Sequence, residues 1–180
     1  MVWSLVVMAV WAMLPAYVPN NAAAIGGGGR AIDGGRTWGD RRVLGDGKTW
    51  RGTVVGTLAG VALAGVLNSL AGVVAASSTF QLPTFPVGAA VGLAAGAMGG
   101  DIAASFLKRR SGRERGASFP VLDQLDFVGG ALIAVYLVAP SWASVTFTPA
   151  VIATVVVVTP VLHLATNVVG YQLGVKAEPW

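Results

Sequence analysis

From Val54 to Ala75 the chain runs without a charged residue and with a single amide, Asn68. A helix of about 20 apolar residues, rising about 1.5 Å per residue, crosses the hydrocarbon of a bilayer. Four further stretches qualify as spans, roughly 2–18, 87–107, 127–147 and 149–170. Pro140 interrupts the fourth, which either continues through a kink to Phe147 or ends at the far surface. Pro160 lies within the fifth, together with the only histidine, His163. Charged residues make up 11% of the 180 positions, against about 25% in soluble domains, so lipid has to cover much of the surface. The expected fold is all-α: one polytopic membrane domain, residues 1–180, of about five transmembrane helices.

No basic residue precedes the first span, and its positive charges come after it. That favours a retained span over a signal peptide, although Ala22–Ala24 imitate a cleavage region. Charge then sets the topology. Arg30, Arg36, Arg41, Arg42, Lys48 and Arg51 fall in the segment 19–52. Lys108, Arg109, Arg110, Arg113 and Arg115 fall in 108–126, and Lys176 in the tail. The two remaining connections carry no charge. With five spans, all twelve Lys and Arg lie on one side, and positive residues favour the cytoplasm. The N-terminus is therefore expected outside. The C-terminus and the loops 19–52 and 108–126 are expected to be cytoplasmic, with the protein in the cell membrane. Basic residues beside apolar runs serve topology and phosphate binding, so the net charge of +4 does not argue for nucleic acid. The absence of cysteine excludes thiolate metal sites and thiol catalysis.

Gly88, Gly92, Gly96 and Gly100 recur four apart in the third span; Gly56, Gly60, Ala64 and Gly72 mark the second. Such stripes let helix backbones approach closely in lipid, within one chain or across a homodimer.

Asp101 lies inside the third span, near its cytoplasmic end. A carboxylate at the bilayer centre costs about 2.5–3.5 kcal/mol, less near the interface, which makes it a functional candidate. Ser105 and Lys108 follow at i+4 and i+7 on the same helix face; Lys108 can simply pair with Asp101 or snorkel to the interface. Asp123 and Asp126, three apart before the fourth span, point the same way in a helical turn. Paired hard carboxylates beside a basic cluster suit Mg²⁺, with substrate phosphates completing its shell. The plainer alternative is an acidic helix start. Asp101, Asp123 and Asp126 are the metal-ligand candidates.

The first loop holds Asp33-Gly34-Gly35-Arg36 and Gly45-Asp46-Gly47-Lys48-Thr49-Trp50-Arg51-Gly52. Glycines let backbone N–H groups approach phosphate oxygens, and a helix N-terminus favours anions. Asp33, Arg36, Lys48, Thr49 and Arg51 are substrate-binding candidates on this ground; a flexible basic loop is the alternative. Gly47-Lys48-Thr49 is not a P-loop, because Arg42 takes the place of the first required glycine and no strand precedes it. Asn20 and Asn21, at the end of the first span, cap backbone or touch a head group. His163 and Asn167, one turn apart, read as interhelical hydrogen-bonding groups rather than catalytic ones.

Gly100-Asp101, Ser105-Phe-Leu-Lys108-Arg109, Arg115-Gly116, Pro120 and Asp123-Gln124-Leu-Asp126 together resemble the signature region of the membrane cytidylyltransferases typified by CDP-diacylglycerol synthase. The chain lacks a Pro-Gly-His-Gly-Gly stretch, has Gln124 where Arg is usual, and is much shorter. With Asp-Gly-Gly-Arg, Gly-Lys-Thr-Trp-Arg-Gly and Leu-Asp-Gln-Leu-Asp-Phe, it resembles the archaeal branch of the family, CDP-archaeol synthase, from Asn20 to Gly130. The resemblance implies transfer of a cytidylyl group from CTP to the phosphate of an unsaturated isoprenoid ether lipid, with Mg²⁺ and release of pyrophosphate. It implies catalytic roles for Asp101, Lys108, Arg109, Asp123 and Asp126. Ser105, Arg115 and Gln124 join Asn20, Asn21 and the first-loop residues as substrate-binding candidates. Two other classes compete. A CDP-alcohol phosphotransferase would release CMP, and Asp33-Gly-Gly-Arg36 reproduces a fragment of that signature. A small transporter or channel gated by Asp101 and His163 is the other, against which the uncharged opposite loops argue.

Overall fold

The structure, a computed structural model, describes residues 2–111 and 122–172, without the side chains of Leu122, Asp123, Asn167, Val169 and Gly170. The described helices are α1 (Val2–Gly26), α2 (Trp50–Ser77), α3 (Val87–Arg110), α4 (Leu122–Val138), α5 (Pro140–Thr146) and α6 (Pro149–Gln172). A hairpin, β1 (Thr37–Trp38) with β2 (Arg41–Arg42), interrupts the loop between α1 and α2. The protein is an all-α, multi-pass membrane protein, with this hairpin and an isolated antiparallel bridge between Ala31 and Thr49 as its β features among the described residues. Helices α1, α2, α3 and the stretch Pro149–Thr166 of α6 are long and apolar enough to cross a bilayer, and Gln124–Val138 is a shorter apolar helix. Leu58, Val66, Leu70 and Val73 lie exposed on α2, as a lipid-facing surface requires.

Two boundaries differ from those expected. The first helix does not end near Val18 but continues through Pro15 and Pro19 to Gly26, so the loop begins later than residue 19. Proline lacks the N–H that would bond the carbonyl four residues earlier, and Pro19 thereby frees the carbonyl of Pro15. Gly60 of α2 packs directly against that oxygen, where a Cα–H group can face it. The expected fourth span, 127–147, is divided. α4 stops at Val138, Ala139 takes a non-helical conformation (φ −142°, ψ 55°), and Pro140 opens α5. A residue before proline is pushed out of the helical region, and Pro140 has no N–H with which to continue the ladder.

The glycine stripes are used within the chain. α1 packs on α2, α3 and α6, and α3 lies along α4. A methyl group on Gly96 would stand 2.6 Å from both the Ala134 Cβ and the Gly130 carbonyl, and one on Gly100 would strike the carbonyl of Asp126. Gly92 faces Val135 and Val138 in the same way. On α2, Gly56 meets the Pro19 carbonyl and the Met98 sulfur, while Gly72 has no neighbour within 4 Å. At the uncharged end of the bundle, Asn68 clamps Phe85 by accepting from its N–H (2.7 Å) and donating to its carbonyl (3.0 Å). Trp11 and Trp142 donate to the carbonyls of Pro83 and Thr84, which closes the connection between α2 and α3.

Candidate active site

The first loop is folded around a carboxylate. Asp33, 8% exposed, accepts from the guanidinium of Arg42 at 2.6 and 3.2 Å, a two-pronged pairing. It also accepts the backbone N–H groups of Gly35, Leu44 and Gly45 at 3.0–3.1 Å. The Arg42 guanidinium and these N–H groups hold the Asp33 carboxyl well below the usual carboxylate range, although burial works the other way. Thr37 pairs with Arg42 and Trp38 with Arg41 across the hairpin, and Gly39 makes the tight turn with φ +63°. Farther along, Ile32 N–H donates to the Lys48 carbonyl (2.8 Å) and Trp50 N–H to the Arg30 carbonyl (3.2 Å). The Thr49 hydroxyl caps α2, accepting from Gly52 N–H at 3.0 Å.

Lys48 leaves this loop toward α3, where its Nζ lies 2.5 Å from a carboxylate oxygen of Asp101. Both open on a cavity of about 600 Å³ among α1, α2, α3, α4 and α6. Its polar lining includes Asn20, Asn21, Lys48, Thr49, Asp101, Asp126, His163 and Thr166, and its apolar lining Val10, Leu14, Val18, Phe127 and Leu162. Also in the lining, the Tyr17 hydroxyl and the Thr159 hydroxyl are 2.8 Å apart, linking α1 to α6. The close α3–α4 approach explains why two carboxylates face one space: with Gly100 against the Asp126 carbonyl, the next residue, Asp101, comes beside the start of α4. Among the described residues no three acidic or histidine side chains gather as a metal cluster. Asp101 and Asp126 nonetheless offer hard oxygen ligands of the kind that Mg²⁺ accepts, and Mg²⁺ keeps few protein ligands.

The whole of the chain from residue 2 to 180 matches the family described as CarS-like, CDP-archaeol synthase. The chain belongs to the CDP-archaeol synthase family. It is 64% identical to the CDP-archaeol synthase of Halorubrum lacusprofundi over 180 residues, all of both chains. With that of Halobacterium salinarum it shares 65% over 175 residues, 97% of each chain. A solved structure of an intramembrane enzyme for archaeal membrane lipids biosynthesis superposes with a TM-score of 0.70 at 38% identity, covering 89% of this chain and 92% of that one.

As a member of the CDP-archaeol synthase family the protein is an enzyme of archaeal membrane-lipid synthesis. The cavity collects Asn20, Asn21, Lys48, Thr49, Asp101 and Asp126 of the residues expected from sequence. It does not collect Asp33, whose carboxylate is occupied within the loop, nor Arg36 and Arg51, which are exposed. Ser105 and Gln124 are half-buried on α3 and α4, outside the cavity wall. Asp101 pairs with Lys48 of the first loop. Arg109 lies against Gly45, its guanidinium 3.2 Å from where a Cβ there would be, just before the cavity-lining turn 47–49. The Asp123 side chain and all of Arg115 lie outside the described residues. Sequence reasoning did not place Tyr17, Thr159, Thr166 or His163 on the site. A signal existed for three of them: Thr159, His163 and Thr166 recur at i, i+4 and i+7, one polar stripe on an otherwise apolar helix.

Proposed function

We propose that the protein transfers a cytidylyl group from CTP to the phosphate of 2,3-bis-O-geranylgeranylglycerol 1-phosphate, giving a CDP-activated ether lipid and pyrophosphate. The observation that carries this reading is the mixed lining of the cavity. A lipid phosphate needs both charged groups and hydrocarbon around it, and Lys48, Asp101 and Asp126 line the same space as Val10, Leu14 and Phe127. An oxygen of the lipid phosphate attacks the α-phosphorus of CTP. The bond from that phosphorus to the β-phosphate oxygen breaks, and pyrophosphate leaves with the electron pair. A phosphate monoester is largely ionised near neutral pH, with a second pKa of about 6, so no strong general base is needed. Lys48, with Lys108 and Arg109 from the end of α3, neutralises the reacting phosphates and keeps them in line. Asp101 and Asp126, with Asp123 one turn earlier on α4, would hold Mg²⁺, which supplies charge neutralisation at the nucleotide phosphates.

The basic end of the bundle faces the cytoplasm in this reading, with α1, α2, α3, α4 and α6 crossing the cell membrane. The test is direct. Purified protein in detergent receives labelled CTP, Mg²⁺ and the geranylgeranyl ether lipid phosphate, and CDP-lipid and pyrophosphate are assayed. Both products form and disappear with EDTA; no product with this lipid or with phosphatidic acid refutes the reading, and release of CMP assigns the phosphotransferase class.

A further inference from the structure

We propose that Arg42 and Arg110 are positioning residues that hold Lys48 in the cavity, through a circuit of contacts that starts and ends on α3. Arg110, at the end of α3, donates from its two terminal nitrogens to the carbonyls of Trp38 (3.0 Å) and Arg42 (3.2 Å). Its guanidinium lies over the Trp38 ring at 5.2 Å and the Phe106 ring at 5.7 Å. The hairpin is thereby fastened to α3. Arg42 passes this restraint on: two of its nitrogens fork onto Asp33, and the third reaches Asp46 at 2.6 Å. Asp33 in turn holds the N–H groups of Leu44 and Gly45. The Gly45 carbonyl accepts from Lys48 N–H at 3.3 Å, and the Lys48 carbonyl accepts from Ile32. The Lys48 side chain then returns to α3 at Asp101, closing the circuit.

Without these anchors the loop has little to hold it. Gly34, Gly35, Gly39 and Gly45 all sit at positive φ, and glycine gives up more conformational freedom on ordering than any other residue. The fork of Arg42 on two oxygens of Asp33 is a geometry that a lysine, a point charge, does not reproduce. Sequence alone counts Arg42 and Arg110 only among the basic residues that set the topology. Their guanidinium groups are instead turned onto acceptors of the protein itself.

The catalytic consequence rests on the function proposed above; the positioning does not, and the experiment separates them. In the full-length protein in detergent, the rate at which an amine-reactive reagent acylates Lys48 is measured by peptide mass spectrometry, relative to Lys108. Arg42→Gln and Arg110→Gln each raise it severalfold, Arg42→Lys does not restore it, and Asp46→Asn leaves it near wild type. In the cytidylyl-transfer assay Arg42→Gln lowers kcat by about tenfold or more, as a misplaced catalytic group does. Adding Lys48→Met to Arg42→Gln costs little beyond Lys48→Met alone, because the arginine acts through the lysine. Unchanged acylation in both variants overturns the proposal, and so do losses that simply multiply with Lys48→Met. Where Arg42→Gln does not fold, Arg110→Gln decides. If the wild type makes no CDP-lipid, the functional reading fails while the acylation rates still decide the positioning.

Discussion

Asp101 is a carboxylate within a membrane helix, and Lys48 satisfies it from a different part of the chain. That pairing keeps an intramembrane charge stable while leaving it in the lining of the cavity that Asp126 also lines. If Asp101 and Asp126 hold Mg²⁺ as proposed, replacing either with Asn lowers kcat about a hundredfold or more with an unchanged gel-filtration profile, because each change removes a charge directed at the metal. Full activity in both variants would dismiss the metal assignment. Asp33 carries a different expectation. Its folded pKa lies below its unfolded value, so its contribution to loop order is complete above the unfolded carboxylate value of about 3.9. It is lost as the pH falls through the lower folded value. Hydrogen exchange at Leu44 and Gly45, corrected for intrinsic rates, should therefore stay slow down to about pH 4 and quicken below it. In Asp33→Asn it should be fast throughout. Asp101, a charge stranded in apolar surroundings, could be found in the sequence because lipid makes it costly, and Asn20 and Asn21 because they stand where the first apolar run ends. Tyr17 could not, because a single hydroxyl sits in a membrane helix for local reasons too, often bonded to its own backbone as Thr154 is to Ala150.

At the scale of helices, the α3–α4 pair sets the site, and its glycines decide how close the pair comes. Gly96 and Gly100 lie against backbone atoms of α4, whereas the neighbouring Gly99 has nothing within 4 Å. Gly96→Ala should therefore separate the helices and destabilise the protein by about 1–3 kcal/mol, the cost of overpacking, with activity falling as Asp101 moves away from Asp126. Gly99→Ala should be tolerated. Thermal unfolding in detergent with the transfer assay checks both; equal effects at 96 and 99 would mean that helix propensity, not contact, governs. The repeat every four residues made the packing face of α3 visible in the sequence, because only one face of a helix has that spacing. The partner helix was not visible, since a stripe of small residues accepts any close backbone. Pro140 announced a break, but whether the helix bent or ended there depended on Ala139, whose conformation a sequence does not state. The continuation of α1 through two prolines was hidden for a similar reason: it depends on Gly60 of another helix covering a freed carbonyl.

For the molecule as a whole, charge divides the bundle into two unlike ends. One end carries the loop around Asp33, the hairpin and the mouth of the site. The other is closed by Asn68, Trp11 and Trp142 without a charged side chain among its connections. This asymmetry was legible from the sequence, because Lys and Arg positions along the chain need no tertiary information. The folding of the basic loop was not legible, since its order comes from pairings between Asp33, Arg42 and Arg110 that no local pattern announces. The proposed orientation in the membrane rests on this charge asymmetry and can be tested without background, because the chain has no cysteine. Asp40→Cys places one thiol at the exposed hairpin turn, and Thr79→Cys places one at the uncharged end. In intact cells a membrane-impermeant maleimide should label Thr79→Cys and leave Asp40→Cys unmodified until the membrane is opened. The reverse pattern would put the cavity on the outside, where CTP is not available, and would overturn both the topology and the reaction assigned to it.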